Sequence, residues 1–205
     1  MKDQDIKDLL AKTGALLEGH FLLSSGLHSD RYMQCALVLA YPEYASRLGS
    51  ALALLVSGKP DLVLSPAMGG LIIGHEVARA LGVRAIFTER ENGVMALRRG
   101  FELKPGEDVV VVEDVITTGR SSKEVIALAR SRGANVIGAL AVVSRGETTP
   151  ELGVPVRALL KAKIITPNEL RKLTKGLNEI LALHERGKFV IKQSDEDCHT
   201  AIENY

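Results

Sequence analysis

The run Val109-Val110-Val111-Val112-Glu113-Asp114-Val115-Ile116-Thr117-Thr118-Gly119-Arg120-Ser121 decides the fold. Four consecutive valines read as a strand buried on both faces, because a parallel strand covered by helices loses the alternation of apolar and polar residues. Two carboxylates stand where that strand should end. Thr117 to Ser121 make a small hydroxylated turn, and Lys123 to Arg132 read as a helix. Strand, acidic pair, loop and helix, in that order, describe a unit of an open α/β sheet, whose ligands sit beyond the carboxyl ends of the strands.

The chemistry of the turn follows from its residues. Gly119 lets the backbone turn so that several N–H groups face one point. The following helix adds unpaired N–H groups and the positive end of its dipole. Thr117, Thr118 and Ser121 add hydroxyl donors. Together they suit a monophosphate. Glu113 and Asp114 do not, since like charges repel; they suit a neutral diol whose O–H groups donate to carboxylates. The bottom-up reading is a site for a ribose 5-phosphate moiety. The bland alternative is an ordinary βα turn with a Ser or Thr cap and a stray acidic pair.

This stretch resembles the phosphoribosyl pyrophosphate (PRPP) signature of the type I phosphoribosyltransferases, and it lacks the lysine of a nucleoside triphosphate P-loop. The resemblance implies an α/β fold with a central, mostly parallel sheet flanked by helices. It implies that Glu113 and Asp114 hold the ribose hydroxyls, that Thr117, Thr118, Gly119, Arg120 and Ser121 hold the 5-phosphate, and that Val115 and Ile116 between them belong to the substrate-binding run.

Upstream, Ile6 to Leu17 read as an amphipathic helix, and two extended runs around Ser24-Ser25-Gly26 read as a hairpin. Beside the signature, this hairpin resembles the N-terminal hood of orotate phosphoribosyltransferases. That resemblance implies that Ser25 and Gly26 contact base or pyrophosphate and that Tyr32 and Met33 pack on a flat pyrimidine. Many members carry a basic residue where Ser24 stands.

Tyr41 to Ser57 read as a helix opened by Pro42, and Asp61 to Ser65 as a buried strand. Ala67-Met68-Gly69-Gly70 follow, then a helix over Leu71 to Leu81 closed by Gly82. The glycines could bare N–H groups to an anion or merely permit close packing. The family places its pyrophosphate loop here, often with a lysine where this chain has Gly69.

Val83 to Thr88 read as a strand, followed by a polar loop from Glu89 to Gly100. Displacing pyrophosphate from an anomeric carbon needs water excluded and cations on the leaving oxygens. The loop resembles the family's mobile catalytic lid, which commonly reaches a neighbouring subunit's site. Arg90, Arg98 and Arg99 are its cations. Asn135 to Val143 and Val154 to Leu160 read as the last strands. The resemblance implies that Arg145, just past the first of them, grips the base or its carboxylate.

The expected organisation is a domain over residues 1–161 (hood about 1–40, core about 41–161) and a helical tail over 162–205. The tail resembles an internal segment of argininosuccinate lyases around Asp195-Glu196-Asp197-Cys198-His199-Thr200-Ala201. About 45 residues cannot supply a site that family builds from several long helices, so an appendage is expected rather than a lyase.

The 26 basic and 25 acidic residues nearly balance, giving a net charge of +1, and no basic stripe points to nucleic acid. No apolar run approaches a membrane span, and the charged start is unlike a signal peptide. Two distant cysteines read as free thiols in a reducing compartment. The expected protein is a cytoplasmic homodimer with a shared active site. It would transfer the phosphoribosyl group of PRPP to orotate, with Mg²⁺ carried by PRPP rather than by protein ligands. A phosphoribosyltransferase for another base and a non-catalytic PRPP sensor are the alternatives.

Overall fold

The computed structural model describes residues 1–22, 28–146 and 148–162, of which 18–22 and 28–32 are described by their backbone. Ser25, Gly26 and the expected helical tail lie outside the described residues.

Strand β6 (Asp108–Ile116) is the centre of a six-stranded sheet. The sheet runs β5 (Val94–Leu97), β4 (Arg84–Glu91), β3 (Leu62–Pro66), β6, β7 (Asn135–Arg145) and β8 (Val156–Ala162). All neighbours are parallel except the β4–β5 pair. The valine run lies where its composition demands. Val110 and Val112 face one apolar layer, Val109 and Val111 the other, and all four are at most 1 % exposed.

Five helices complete the description: α1 (Asp3–Lys12), α2 (Cys35–Leu39), α3 (Pro42–Ala53), α4 (Gly70–Leu81) and α5 (Arg120–Ser131). Side chains of α1 to α4 join the layer of Val110 and Val112, and side chains of α5 join the layer of Val109 and Val111. Handedness explains the division. The chain moves from β3 outward to β4 through α4, but from β6 to β7 in the opposite direction through α5. Right-handed crossovers in opposite directions put their helices on opposite faces. The strand order reverses between β3 and β6, so the loops after these two strands flank a crevice at the switch point.

Several sequence expectations need correction. The first helix ends at Lys12, and Gly14 turns with φ of 69°. Leu16 and Leu17 therefore begin strand β1 (Leu16–Leu22), which pairs antiparallel with β2 (His28–Met33) as the expected hairpin. Leu16 still packs on the same core as Ile6, Leu9 and Leu10, which is why its apolar spacing mimicked a continuing helix. The short helix α2 had no expectation, and α3 stops at Ala53 rather than Ser57.

The larger correction concerns the expected polar loop from Glu89 to Gly100. Residues 84–97 form a β-hairpin, in which Glu91 pairs with Val94 across a two-residue turn. That turn is Asn92-Gly93, with φ of 50° and 83°. Positive φ at both central positions is the type I′ geometry that suits the twist of a hairpin, and Asn-Gly is its preferred sequence.

Close approach of helices α3 and α4 rests on Gly49. A Cβ there would lie 2.6 Å from Glu76 Cβ and 2.8 Å from the Glu76 backbone carbon. Gly49→Ala should therefore destabilise the protein by about 1–2 kcal/mol despite alanine's better helix propensity. Urea unfolding tests this; a variant as stable as the parent would show that the two helices separate at little cost.

Candidate active site

Burial allows β6 polar side chains only near its ends, and Glu113 and Asp114 occupy the carboxyl end. Glu113 is 8 % exposed, whereas Asp114 is half-buried at the crevice. The Val115 N–H donates to Asp114 Oδ1 over 2.7 Å. Burial pushes the Glu113 carboxyl up to about 8, and the neighbouring Asp114 charge and a hydrogen bond to Asp114 add to the shift. Burial also raises Asp114, opposed by hydrogen bonds from the Val115 N–H and Glu113. Burial therefore favours a proton on Glu113 near neutrality, hydrogen-bonded to Asp114. This refines the picture of two open carboxylates. Asp114 is the more exposed acceptor at the crevice, and Glu113 is the more deeply buried acid beside it.

The loop after β6 has the expected form. Gly119 is buried, adopts φ of 71° and is the N-cap of α5. Leu152 Cδ2 would lie 2.6 Å from a Cβ at this position, so both backbone and packing require glycine. Lys123 N–H makes the first helical bond, to the Gly119 carbonyl at 2.8 Å. The N–H groups of Arg120, Ser121 and Ser122 precede it in the first turn, and no side chain caps the helix. A Ser or Thr cap, the bland reading of this turn, is therefore replaced by glycine and bare amides, which suit an anion.

The second loop stands across the crevice. Ala67, Met68 and Gly69 follow β3, the Ala67–Met68 peptide is cis, and Gly70 opens α4. Ala67 N–H donates to the Thr88 carbonyl over 2.8 Å, tying the loop to β4. A Cβ on Gly69 would lie 2.5 Å from Asp114 Oδ1, and one on Gly70 would lie 2.8 Å from the Val112 carbonyl oxygen. The two glycines thus bring this loop against the acidic pair. The site is one constellation drawn from two loops.

Arg145 ends β7 and is 9 % exposed. Cys35, the first residue of α2, feels both Asp114 and Arg145. Burial drives its thiol pKa upward, the Asp114 charge adds to this, and Arg145 opposes it. The charges of Asp114 and Arg145 thus both reach Cys35, which lies in the apolar layer on the α4 side of the sheet. Met33 ends β2 and is buried in the core with Cys35. Tyr32 pairs with Leu17 through its backbone.

Arg90 within β4, and Arg98 and Arg99 just after β5, are all engaged. Arg99 makes a two-pronged bond to Glu89, at 2.7 and 2.8 Å, and its guanidinium stands 5.8 Å from the centre of the Phe87 ring. Arg98 lies 3.5 Å from Glu91. Arg90 donates to the Gly93 carbonyl at 2.7 Å and pairs with Glu124 of α5 at 2.7 Å. Glu124 was not foreseen as part of the site. Its spacing from Arg120, four residues along a helix, was the available signal.

Comparison with known proteins places this geometry in a family. A profile described as a phosphoribosyl transferase domain matches residues 43–165. The orotate phosphoribosyltransferase of Pelotomaculum thermopropionicum is 53 % identical over 167 residues, spanning 81 % of this chain and 88 % of the relative. That of Thermotoga maritima is 55 % identical over 157 residues, spanning 76 % and 84 %. The chain belongs to the orotate phosphoribosyltransferase family. Among solved structures, the crystal structure of orotate phosphoribosyltransferase from Aeropyrum pernix is similar, with a TM-score of 0.66 and 30 % identity. It aligns with 85 % of this chain and 98 % of its own. The family membership agrees with the expected type I phosphoribosyltransferase fold.

The buried acid has a measurable signature. Between the ordinary glutamate range and about pH 8, folded Glu113 keeps a proton that the unfolded chain has lost. Stability should therefore fall as pH rises through that window and level off above it. Urea midpoints at about pH 5 and about pH 9 measure the slope, and Glu113→Gln should flatten it. A parent protein equally stable at both pH values would refute the assignment.

Proposed function

We propose that this chain transfers the phosphoribosyl group of PRPP to orotate, releasing orotidine monophosphate and pyrophosphate in pyrimidine nucleotide synthesis. The observation that carries the proposal is the crevice between β3 and β6, where an acidic pair stands between two loops fitted for anions. Relatives about half identical to this chain, each named orotate phosphoribosyltransferase, support the choice of reaction.

On this reading the 5-phosphate lies on the loop from Thr117 to Ser121 and the first amides of α5. The ribose diol donates to Asp114, with Glu113 beside it as the proton-holding partner. The pyrophosphate lies against Ala67 to Gly70. Breaking the glycosidic bond leaves positive charge on the sugar and negative charge on the leaving group. Asp114 is placed to stabilise the first, and the amides of the pyrophosphate loop and Arg90 the second. Arg98 and Arg99 would add to the positive potential at the mouth. Arg145 receives the orotate carboxylate, with Ser25, Gly26, Tyr32 and Met33 on the hood side of the base. Most of the rate comes from positioning and from preset charges.

Mg²⁺ fits this arrangement. Asp114, half-buried at the crevice, offers the kind of carboxylate oxygen this hard cation takes. The ion would be held by PRPP with Asp114 beside it, and when bound it neutralises charge on the pyrophosphate. We further propose a cytoplasmic homodimer with a shared site. The exposed Met68, within the pyrophosphate loop, and Ile72, just after it on α4, supply apolar surface for an interface. No helix among the described residues is long and apolar enough to cross a membrane. The tail over 162–205 is proposed as an appendage that resembles an argininosuccinate lyase segment and adds no lyase chemistry. The profile of the transferase domain ends at residue 165.

Loss of orotate absorbance that requires protein, PRPP and Mg²⁺ together tests the reaction. Asp114→Asn should lower kcat/KM by about 100-fold. PRPP binding without any absorbance change in the parent protein would instead favour a sensor. A chain ending at Ile164, which keeps all of β8, should retain turnover; inactivity of a folded truncation would give the tail a role.

A further inference from the structure

Glu124 occupies an unusual position between the hairpin and the phosphate loop. Its Oε1 accepts from Arg120 Nε at 3.1 Å, and its Oε2 meets Arg90 Nη2 at 2.7 Å. Arg120 is the first residue of α5 and belongs to the phosphate loop, whereas Arg90 belongs to β4. One carboxylate therefore joins the two elements, one oxygen to each. The Oε2 contact is short but not aligned as a hydrogen bond, and that oxygen is buried, so the Arg90 charge is what compensates it. Desolvation would raise the Glu124 carboxyl, but the bonds and charges of Arg120 and Arg90 outweigh it and hold the group below its ordinary value. It stays ionised throughout the neutral range.

The other two cations of the hairpin differ. Arg98 and Arg99 pair with Glu91 and Glu89 of the hairpin's own β4, so those pairs cannot fix the hairpin to anything else. Of Arg90, Arg98 and Arg99, Arg90 alone pairs with a carboxylate outside the hairpin; Arg84, at the hairpin's base, pairs outward with Glu107. Gly93, Met95, Arg120 and Glu124 border one groove, which separates the hairpin tip from α5. The Arg90–Glu124 ion pair spans the open side of this groove, while Met95, buried beneath it, joins the same apolar layer as Val125, Ile126 and Ala129 of α5.

We propose that Glu124 is a positioning residue. It anchors Arg90 to the helix that carries the phosphate loop, so that the guanidinium is held in one place before the substrate arrives. This rests on the reading of the crevice as a PRPP site and of Arg90 as a cation for the leaving group. Pre-placement matters because an untethered arginine side chain loses rotamer freedom on meeting the ligand. Glu124 does not touch substrate; it acts through Arg90. Its two oxygens also make the phosphate loop and the hairpin respond to each other, since a phosphate that draws Arg120 away leaves Arg90 as the remaining partner.

The test is a double-mutant cycle over Arg90→Ala and Glu124→Gln, which removes the charge and keeps the shape. Binding of inorganic pyrophosphate with Mg²⁺ is measured by calorimetry for all four proteins, and turnover of orotate and PRPP in parallel. Glu124→Gln should weaken pyrophosphate binding and lower kcat by about tenfold, yet change either by less than about twofold when Arg90 is already alanine. The KM for orotate and the melting temperature should stay put, which a merely structural role would not allow. An unchanged Glu124→Gln protein, or an equal loss in the Arg90→Ala background, would overturn the proposal. Absence of orotate turnover in the parent would count against the proposed reaction alone, because the pyrophosphate cycle still decides the role of Glu124.

Discussion

The constraint on which this structure depends is the burial of β6 on both faces. A strand with helices above and below can carry only apolar side chains along its length, and it meets that demand with valine at four successive positions. Polar chemistry is confined to its end, where the neighbouring strands also end. Glu113 and Asp114 mark that boundary. Glu113 is still inside the apolar limit and keeps its proton, while Asp114, one residue on, reaches the crevice and can be charged. The division of labour within the pair thus follows from depth along one strand rather than from any difference in chemistry between the two acids.

The same burial explains the glycines. Two loops can meet over the end of β6 only if little stands between them. Gly70 leaves room for the Val112 carbonyl and Gly69 leaves room for the Asp114 carboxylate. A lysine at position 69 would bring a positive charge to the pyrophosphate, but its Cβ would overlap Asp114 as that side chain now lies. The chain has a tight seam here in place of a charge, and backbone amides at the start of α4 are left to face the anion.

Much of this was legible in the sequence because burial and turn chemistry are local. Valine runs, Pro42 at a helix start and Gly82 at a helix end each announced their element, and the order of acids, threonines and glycine announced the phosphate loop. What escaped was set by partners distant in the chain. Leu16 has helical spacing but belongs to a strand, because Met33 pairs with it there. Arg90 looked like a free loop cation, yet its partner lies on α5, more than thirty residues later. The hairpin at Asn92-Gly93 was a different kind of omission. Its turn signal was in plain view, and the high density of charges around it was read as a surface loop. On a hairpin that projects past the sheet, those charges pair with each other instead.

That pairing bears on how the mouth of the site can work. An exposed pair such as Arg99 with Glu89 gains little in water, where charge is screened and long side chains must be held still. Arginines stored this way cost little to release. A polyphosphate offers each guanidinium more charge and a second oxygen for a two-pronged bond, so exchange from carboxylate to phosphate is favourable at the moment it is needed. In its absence the carboxylates keep three like charges on one short hairpin from repelling one another. The acids around Arg90, Arg98 and Arg99 therefore need no role in the reaction to be useful to it: they hold the cations in place and yield them to a stronger anion.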